Sequence, residues 1–481
     1  MIDTDVLIVG AGPTGLTLAG DLARAAVSHM VVERRSDDPN TTRAFALHAR
    51  TLEQLDLRGV ADELIATGRR IPGVRLFRHT ELRLSGLPSR FPFVLVTPQY
   101  ETERVLAARG VQMMSGMAVT AVNQDPEGVT ATLSDGRTLR ARYLVGCDGV
   151  RSVVRESLGL PFPGQAVLRS IMLADVRLTQ EPAETLTINS AVGAMAFIAP
   201  FGDGWYRIFC WNTDERPTAE PVDLSEIRLT VRRACGTDYG MHEPRWMSRF
   251  HCDERQVPRY RVGRVFLAGD AAHCHSPAGS QGMNTGIQDA TNLGWKLAAA
   301  VRGYDGLLDS YESERHPVGR MAVRSSGALV RTGIARSATQ RAMRLAALRL
   351  TLSIPAIRRK GALMISGIGI SYGHGVHRVP DITLPGGGRL YETMRDGRFA
   401  LLGTPALDVG PWSQRVTLTG SARAGGRVTL VRPDAYVAWH GSPIDSAGLQ
   451  AALLRWCGPP APESGPQKPI ETWGFLRGGT R

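Results

Sequence analysis

Four consecutive apolar residues, Val6-Leu7-Ile8-Val9, lead into spaced glycines and a helix-forming run that ends near Arg24. An uninterrupted apolar run of this length predicts a strand buried on both faces, as in a parallel sheet. A second such strand is expected at His29–Val32, closing on Glu33. The same texture returns at Tyr143–Gly146, just before Asp148-Gly149, and at Val265–Ala268, just before Gly269-Asp270. Val119–Val122 and Val129–Leu133 read as further strands, with Asp135-Gly136 as a turn, and Pro98–Arg104 opens a short helix. Between about Phe162 and Tyr260 the pattern changes to alternation: Ile171–Leu178, Ala194–Pro200, Trp205–Trp211 and Trp246–Cys252 predict a mixed, half-buried sheet. Ser225–Ala234 is an amphipathic helix beside it. Residues 305–370 read as helical, and Pro380–Gly388 (PDITLPGGG) is the best linker candidate. Beyond it, Phe399–Leu402, Val416–Leu418 and Val428–Trp439 are expected as strands and Ala447–Leu454 as a helix, a small α/β unit.

The glycines give the first strand its chemistry. Gly10-Ala11-Gly12-Pro13-Thr14-Gly15 fits GxGxxG at a strand end: one glycine for a tight turn, one for close approach to a pyrophosphate, one for helix–sheet packing. The following helix presents free N–H groups and the positive end of its dipole to an anion. Glu33, eighteen residues beyond Gly15, is placed to accept hydrogen bonds from a ribose diol and argues against a 2′-phosphate on that nucleotide. Two further strand-end aspartates, far apart in sequence, meet over one cofactor only if a middle domain interrupts the fold. The expected fold is therefore α/β. It has a Rossmann-like domain from residues 1–161 and 261–330, interrupted by a mixed-sheet substrate domain at 162–260. A helical segment and linker at 331–388 and a C-terminal domain at 389–481 follow.

Charge and composition narrow the classes of function. The chain has 481 residues and a formal net charge of +12. Its basic residues fall in no block of five or more, which favours an anionic coenzyme or substrate over nucleic acid. No signal peptide and no membrane span are expected. A basic helix at Arg341–Arg349 is read as packing on its own protein rather than lying on a membrane. Six scattered cysteines without CxxC pairs predict reduced thiols, a cytoplasmic location and no dithiol chemistry. His273 and His275, two apart on a loop, do not make a metal set, so no metal is expected.

GAGPTG with Glu33, the Cys147–Arg155 stretch CDGVRSVVR, and FLAGDAAHCHSPAGSQGMNTGIQDATNLGWKLA around Asp270 together resemble the FAD-dependent aromatic hydroxylases of the p-hydroxybenzoate hydroxylase family. With PQYETER and VRPDAYVAW, the chain is similar to the bacterial aromatic polyketide hydroxylases over nearly its whole length. The resemblance implies FAD as cofactor, NAD(P)H as transient co-substrate and O₂. The implied activity is hydroxylation of a polycyclic aromatic polyketide in secondary-metabolite (antibiotic) biosynthesis, by a monomer or homodimer. It implies that Gly10, Gly12, Pro13, Thr14 and Gly15 hold the pyrophosphate, that Glu33 binds the adenosine ribose, that Arg34 also belongs to the cofactor site, and that Val119 flanks the adenine. It places Arg43 and Gln99 at the pyrophosphate and ribityl, Asp270 at the ribityl chain, and Asp148 at a motif for FAD and NAD(P)H. Pro277, Gly282, Met283 and Asn284 line the flavin ring. The C-terminal domain resembles a thioredoxin-like appendage with a packing role. The segment from Arg104 to Gly110 is shorter than the family's helix, which puts a contact from Arg104 in doubt.

Substrate residues are expected from the middle sheet. Arg50 and Arg207 are the candidates for positioning substrate or flavin, with no dedicated base in sight. Phe197, Trp205, Phe209 and Trp211 are the candidates for the cavity wall, against a competing role in the core of the sheet. Two alternatives stand beside hydroxylation: Baeyer–Villiger oxygen insertion, and a redox-poor FAD protein that shelters an intermediate.

Overall fold

The computed structural model describes residues 2–36, 44–76, 80–202, 204–214, 216–334, 337–373, 375–403, 407, 409–420 and 427–460. Thr4–Val9 lies inside an eight-stranded sheet, parallel to His29–Glu33 on one side and to Thr138–Gly146 on the other. Val265–Leu267 continues the sheet in parallel beside Thr138–Gly146, so that Val145 sits next to Phe266. Val6, Leu7, Ile8, Leu144, Val145, Val265 and Phe266 are fully buried, as continuous apolar runs in a parallel sheet require. Helices Pro13–Arg24 and Gln281–Val301 pack against each other beside this sheet. The strand ends that carry Gly10, Asp148 and Asp270 are thereby brought together from three distant parts of the chain.

The second sheet also has eight strands, with Gly164–Leu178 and Met241–Gln256 as its long antiparallel pair and Tyr206–Asn212 and Ala194–Pro200 alongside. Its alternation sorts two cores. Met172, Ala174, Ile198, Ile208 and Cys210 pack with Ile227 and Val231 of the Leu224–Cys235 helix, whereas Ile171, Leu173, Phe209, Trp211 and Phe250 join the core of the first sheet. Strands Gly73–Leu76 and Thr80–Arg83 extend this second sheet beside Thr187–Ala191, although the sequence places them in the first domain.

Near the C-terminus, Phe399–Gly403 pairs in parallel with Val416–Gly420 and antiparallel with Val428–Val431, which pairs with Val437–Gly441; helix Ser446–Cys457 packs on the sheet. This is the thioredoxin-like arrangement. The single strand expected at Val428–Trp439 is two strands, because Arg432–Tyr436 forms a turn with Ala435 at φ 56°. That turn is driven into the rest of the protein. Fully buried Arg432 bonds Glu314 at 2.7 and 2.8 Å and Asp434 at 2.6 and 3.0 Å, while Lys296 bonds the same Glu314 at 2.9 Å. The Pro380–Gly388 stretch is no free tether: Leu384 is buried, and Arg389 just beyond it pairs with Asp56 and Asp381.

Ahead of Arg50 the chain is a strand, Ala46–Leu47, and the helix begins only at Ala49. The basic Ala338–Ser353 helix rests on its own protein only along one side: Arg344 bonds the carbonyls of Arg331 and Ile334, Leu345, Leu348 and Leu352 are half-buried, and none of its residues is fully buried.

Candidate cofactor and substrate site

A cleft of about 970 Å³ runs between the two large sheets. At one end it is built by the glycines after the first strand, and their three roles separate cleanly. Gly10 has φ +102°, and a Cβ there would lie 2.5 Å from the carbonyl oxygen of Cys147. A Cβ on Gly15 would lie 2.0 Å from the carbonyl oxygen of Gly10. Gly12 instead has nothing within 4 Å and faces the cleft with Pro13 and Thr14. The first two glycines are demanded by the fold, the third leaves room for a ligand. The helix that starts here has no acidic residue in its first turn, so its positive end is free to meet a diphosphate.

Glu33 lines the same end. Its Oε2 accepts from the Ala11 N–H at 2.6 Å and its Oε1 from the backbone N–H and Nε of Arg35, each at 2.9 Å. Burial raises its pKa, but these donors outweigh burial and hold the carboxyl below its ordinary value. Arg34, Gln99 and Val119 lie along the cleft wall, with Gln99 donating to Glu103 at 2.7 Å. Residue 43 falls outside the described residues. Arg104 points away from the cleft, pairing with Glu101 and Glu63 at the surface.

Asp148 and Asp270 both reach the cleft. Asp148 Oδ2 accepts from the Val154 N–H at 3.1 Å, while its buried Oδ1 has no partner within the protein, and burial raises its pKa. Pro277, with Gly282 and Met283 in the first turn of the Gln281–Val301 helix, forms the opposite lip, and that turn also lacks an acid. The residue before that helix, Ser280, holds φ 50°, a strained conformation for a residue with a side chain. The Asn284 side chain braces this lip from behind: its Oδ1 accepts from the His48 N–H and its Nδ2 donates to the Ala46 and Ser280 carbonyls. Sequence reasoning missed His275, which lines the cleft beside Gly282. Burial first, then His273, lower its pKa to about 4, so it is neutral at pH 7. Its Nδ1–H donates to the Ser276 carbonyl at 3.1 Å, which leaves Nε2 as a buried acceptor without a protein donor. His273 is tied instead to Asp289 at 2.7 Å, and among the described residues no metal-binding cluster forms.

At the other end the cleft is aromatic. Phe45, Phe209 and Phe250 line it, and the rings of Phe45, Phe197 and Phe209 stand 5.4–6.1 Å apart. Phe45 and Phe250 carry no motif, and only the alternation of the sheet hinted at the second. The other substrate candidates lie elsewhere. Arg207 is fully buried in a bidentate pair with Asp175, 2.8 Å on both arms, beneath the ring of Phe201. A charge cannot be left unpaired at that depth, so its carboxylate partner, not a ligand, fixes it. Arg50 is likewise buried, bonded to Glu53 at 2.9 Å and the Asp434 carbonyl at 2.7 Å. Trp205 lies between Arg177 and Arg245, and Trp211 is 5 % exposed within the core.

The open Gly12 cradle, two acid-free helix starts and the unpartnered Asp148 Oδ1 fit FAD, with its anionic pyrophosphate, as the cofactor of this cleft. Fold and site define the class: an FAD-dependent monooxygenase. Residues 3–326 match the FAD binding domain family and 375–460 the aromatic-ring hydroxylase C-terminal domain. The chain belongs to this family of FAD-dependent aromatic-ring hydroxylases. It is 38% identical to a rifampicin monooxygenase of Streptomyces venezuelae, over 94% of this chain and 98% of the relative. Among solved structures, OxyS anhydrotetracycline hydroxylase from Streptomyces rimosus is similar at a TM-score of 0.84 and 36% identity, covering 95% of this chain and 100% of that one. CabE, an aromatic hydroxylase from angucycline biosynthesis, gives a TM-score of 0.84 at 35% identity, again covering 95% and 100%.

Proposed function

We propose that the chain hydroxylates a polycyclic aromatic polyketide, with NAD(P)H as reductant and O₂ as oxygen source. The observation that carries this is the continuity of the cleft, from the Gly12 cradle to the wall of Phe45, Phe209 and Phe250. FAD supplies the redox chemistry, passing electrons from NAD(P)H to O₂ and delivering one oxygen atom. The chain's own work is placement. Gly12 and the start of the Pro13–Arg24 helix receive the pyrophosphate, and the acid-free helix start at Gly282 and Met283 favours negative charge on the ring edge it meets. The phenylalanine wall presents a flat apolar surface to a fused-ring substrate and excludes water from the reacting face. His275 Nε2 offers a neutral acceptor beside Gly282.

The names of the relatives favour hydroxylation over Baeyer–Villiger insertion and over a redox-poor role. We also propose the division into 1–161 with 261–330, 162–260, 331–388 and 389–481, the Gly73–Arg83 hairpin being lent to the second unit. The test is incubation of the yellow holoprotein with NAD(P)H and a panel of aromatic polyketides, with products identified by mass and NMR. A product carrying one added phenolic oxygen is expected. A lactone, or substrate turnover without NAD(P)H consumption, overturns the assignment.

A further inference from the structure

Between Glu314 and Asp381 the sequence has no acidic residue and twelve lysines and arginines, which equals the net charge of the whole chain, +12. Only some of this charge is used internally: Arg315 pairs with Asp289, Arg331 with Glu254 and Arg378 with Glu53. Among the described residues, Arg341, Arg349, Arg358, Arg359 and Lys360 have no carboxylate partner. They sit on two consecutive helices, Ala338–Ser353 and Pro355–Ile365. The first fully buries none of its residues and the second only Ala362.

Aliphatic side chains stand out from the same helices. Leu350 is 72% exposed and Met343 62%, with Ile354 and Ile357 exposed at the junction. Leu345, Leu348 and Leu352 are half-buried, whereas the face that carries Met343 and Leu350 has no apolar partner. Beside it, a groove of about 630 Å³ sets Arg358, Arg359 and Arg83 around a floor of Leu87, Pro355, Ala362 and Leu363. Cationic rim and apolar floor together suit a phosphodiester headgroup whose acyl chains continue inward.

We propose that the Ala338–Ile365 helix pair docks on an anionic lipid surface. The charge pattern excludes the simplest rival: a second copy would bring one acid-free basic face against another. An acidic protein would answer the charge, but Met343, Leu350, Ile354 and Ile357 protrude and would each need a matching hollow. A bilayer accepts protruding aliphatic chains into its acyl boundary while its headgroups meet the flanking arginines. No helix of the described chain is long and apolar enough to cross a membrane, so the contact is with the surface.

The test is sedimentation of the FAD-loaded full chain with vesicles of phosphatidylcholine alone and of equimolar phosphatidylcholine and phosphatidylglycerol. Binding at least about tenfold stronger to the anionic vesicles is expected, weakening as salt is raised. A triple Arg349→Glu, Arg358→Glu, Arg359→Glu variant loses that binding. Leu350→Ser with Ile354→Ser weakens it at least about tenfold, because apolar insertion contributes as well as charge. Both variants keep wild-type flavin absorbance and Tm, since none of the five side chains is buried. Equal binding to both vesicles, no binding to either, or a serine variant that binds as wild type overturns the proposal. So does a protein that ignores the vesicles but forms dimers which the arginine substitutions abolish, because that assigns the face to a second copy.

Discussion

The three glycines of GAGPTG make opposite predictions when each receives a single methyl group. At Gly15 the added carbon would lie 2.0 Å from the carbonyl oxygen of Gly10, which is backbone and cannot swing aside. The helix start must retreat from the strand by roughly 1 Å or more to restore contact distance. Overpacking of this kind costs about 1–3 kcal/mol. For a domain of this size that corresponds to a fall in Tm of about 2–12 °C. Gly12→Ala meets nothing within 4 Å, and its φ of −74° and ψ of 177° suit any residue. Stability of the apoprotein should therefore stay within about 0.5 kcal/mol of wild type. The methyl group does, however, stand where a pyrophosphate has to approach. The same overpacking cost, now set against ligand, weakens FAD binding by about ten- to hundredfold. Thermal unfolding of the apoproteins and titration of FAD by fluorescence quenching separate the two effects. A Gly12→Ala protein that binds FAD as wild type, or a Gly15→Ala protein as stable as wild type, would refute the assignment of roles.

Two further predictions concern buried charge. His48 is buried and neutral, its pKa lowered by burial from 6.5 to about 4; the unfolded chain binds the extra proton first, so stability falls as pH drops from 6.5 towards 4, by at most about 3 kcal/mol. His48→Gln should flatten that part of a Tm-against-pH curve, and an unchanged slope would count against it. Arg207→Met should lower Tm by leaving Asp175 uncompensated while KM for an aromatic substrate barely moves, whereas Phe209→Ala should raise KM with little change in FAD content; an Arg207 effect on KM alone would restore its role in substrate binding.

The cofactor end of the cleft was legible because its requirements are local. A strand, a turn and a helix start occupy about twenty consecutive residues, and Gly10 and Gly15 each answer a steric demand while Gly12 stays open to the cleft. Asp148 and Asp270 were legible for the same reason, each closing an apolar strand. The substrate end was not. Arg207 and Phe209 sit two apart on one face of one strand, indistinguishable by alternation, yet one is sealed against Asp175 and the other lines the cleft. What separates them is the neighbouring strand: Asp175 is paired with Arg207, and Leu173 with Phe209. Cross-strand register is a tertiary fact, and no single stretch of sequence contains it. The bracing bonds of Asn284 were equally out of reach, since its partners, residues 46 and 48, lie some 240 positions away.

The C-terminal unit carries none of the cleft, yet its Arg432–Tyr436 turn is built into the cofactor-binding body. Arg432 and Asp434 complete a buried cluster with Glu314, Lys296 and Asn292, and the carbonyl of Asp434 receives Arg50 and Gln54. Lys296 is lowered by burial to about 8, so its charge is sustained by the carboxylates around it. Removing one member of such a cluster leaves a charge buried without its partner, at a cost of about 3–5 kcal/mol. Arg432→Leu should therefore lower Tm by about 6–20 °C, while the flavin spectrum of the surviving folded protein stays that of wild type. Deletion beyond Gly388 removes Arg432, Asp434 and the ring of Tyr436 over Arg50 together, leaving Glu314 with Lys296 as its one remaining cation and Arg50 with Glu53 as its one remaining side-chain partner among the described residues. The truncated chain should lose its folded state before it loses any cofactor contact, every one of which lies before Arg302. Calorimetry and FAD titration of both proteins decide it: a soluble truncation with wild-type Tm would show that the cluster contributes nothing to the cofactor-binding body, and that the C-terminal unit is attached to it rather than part of its core.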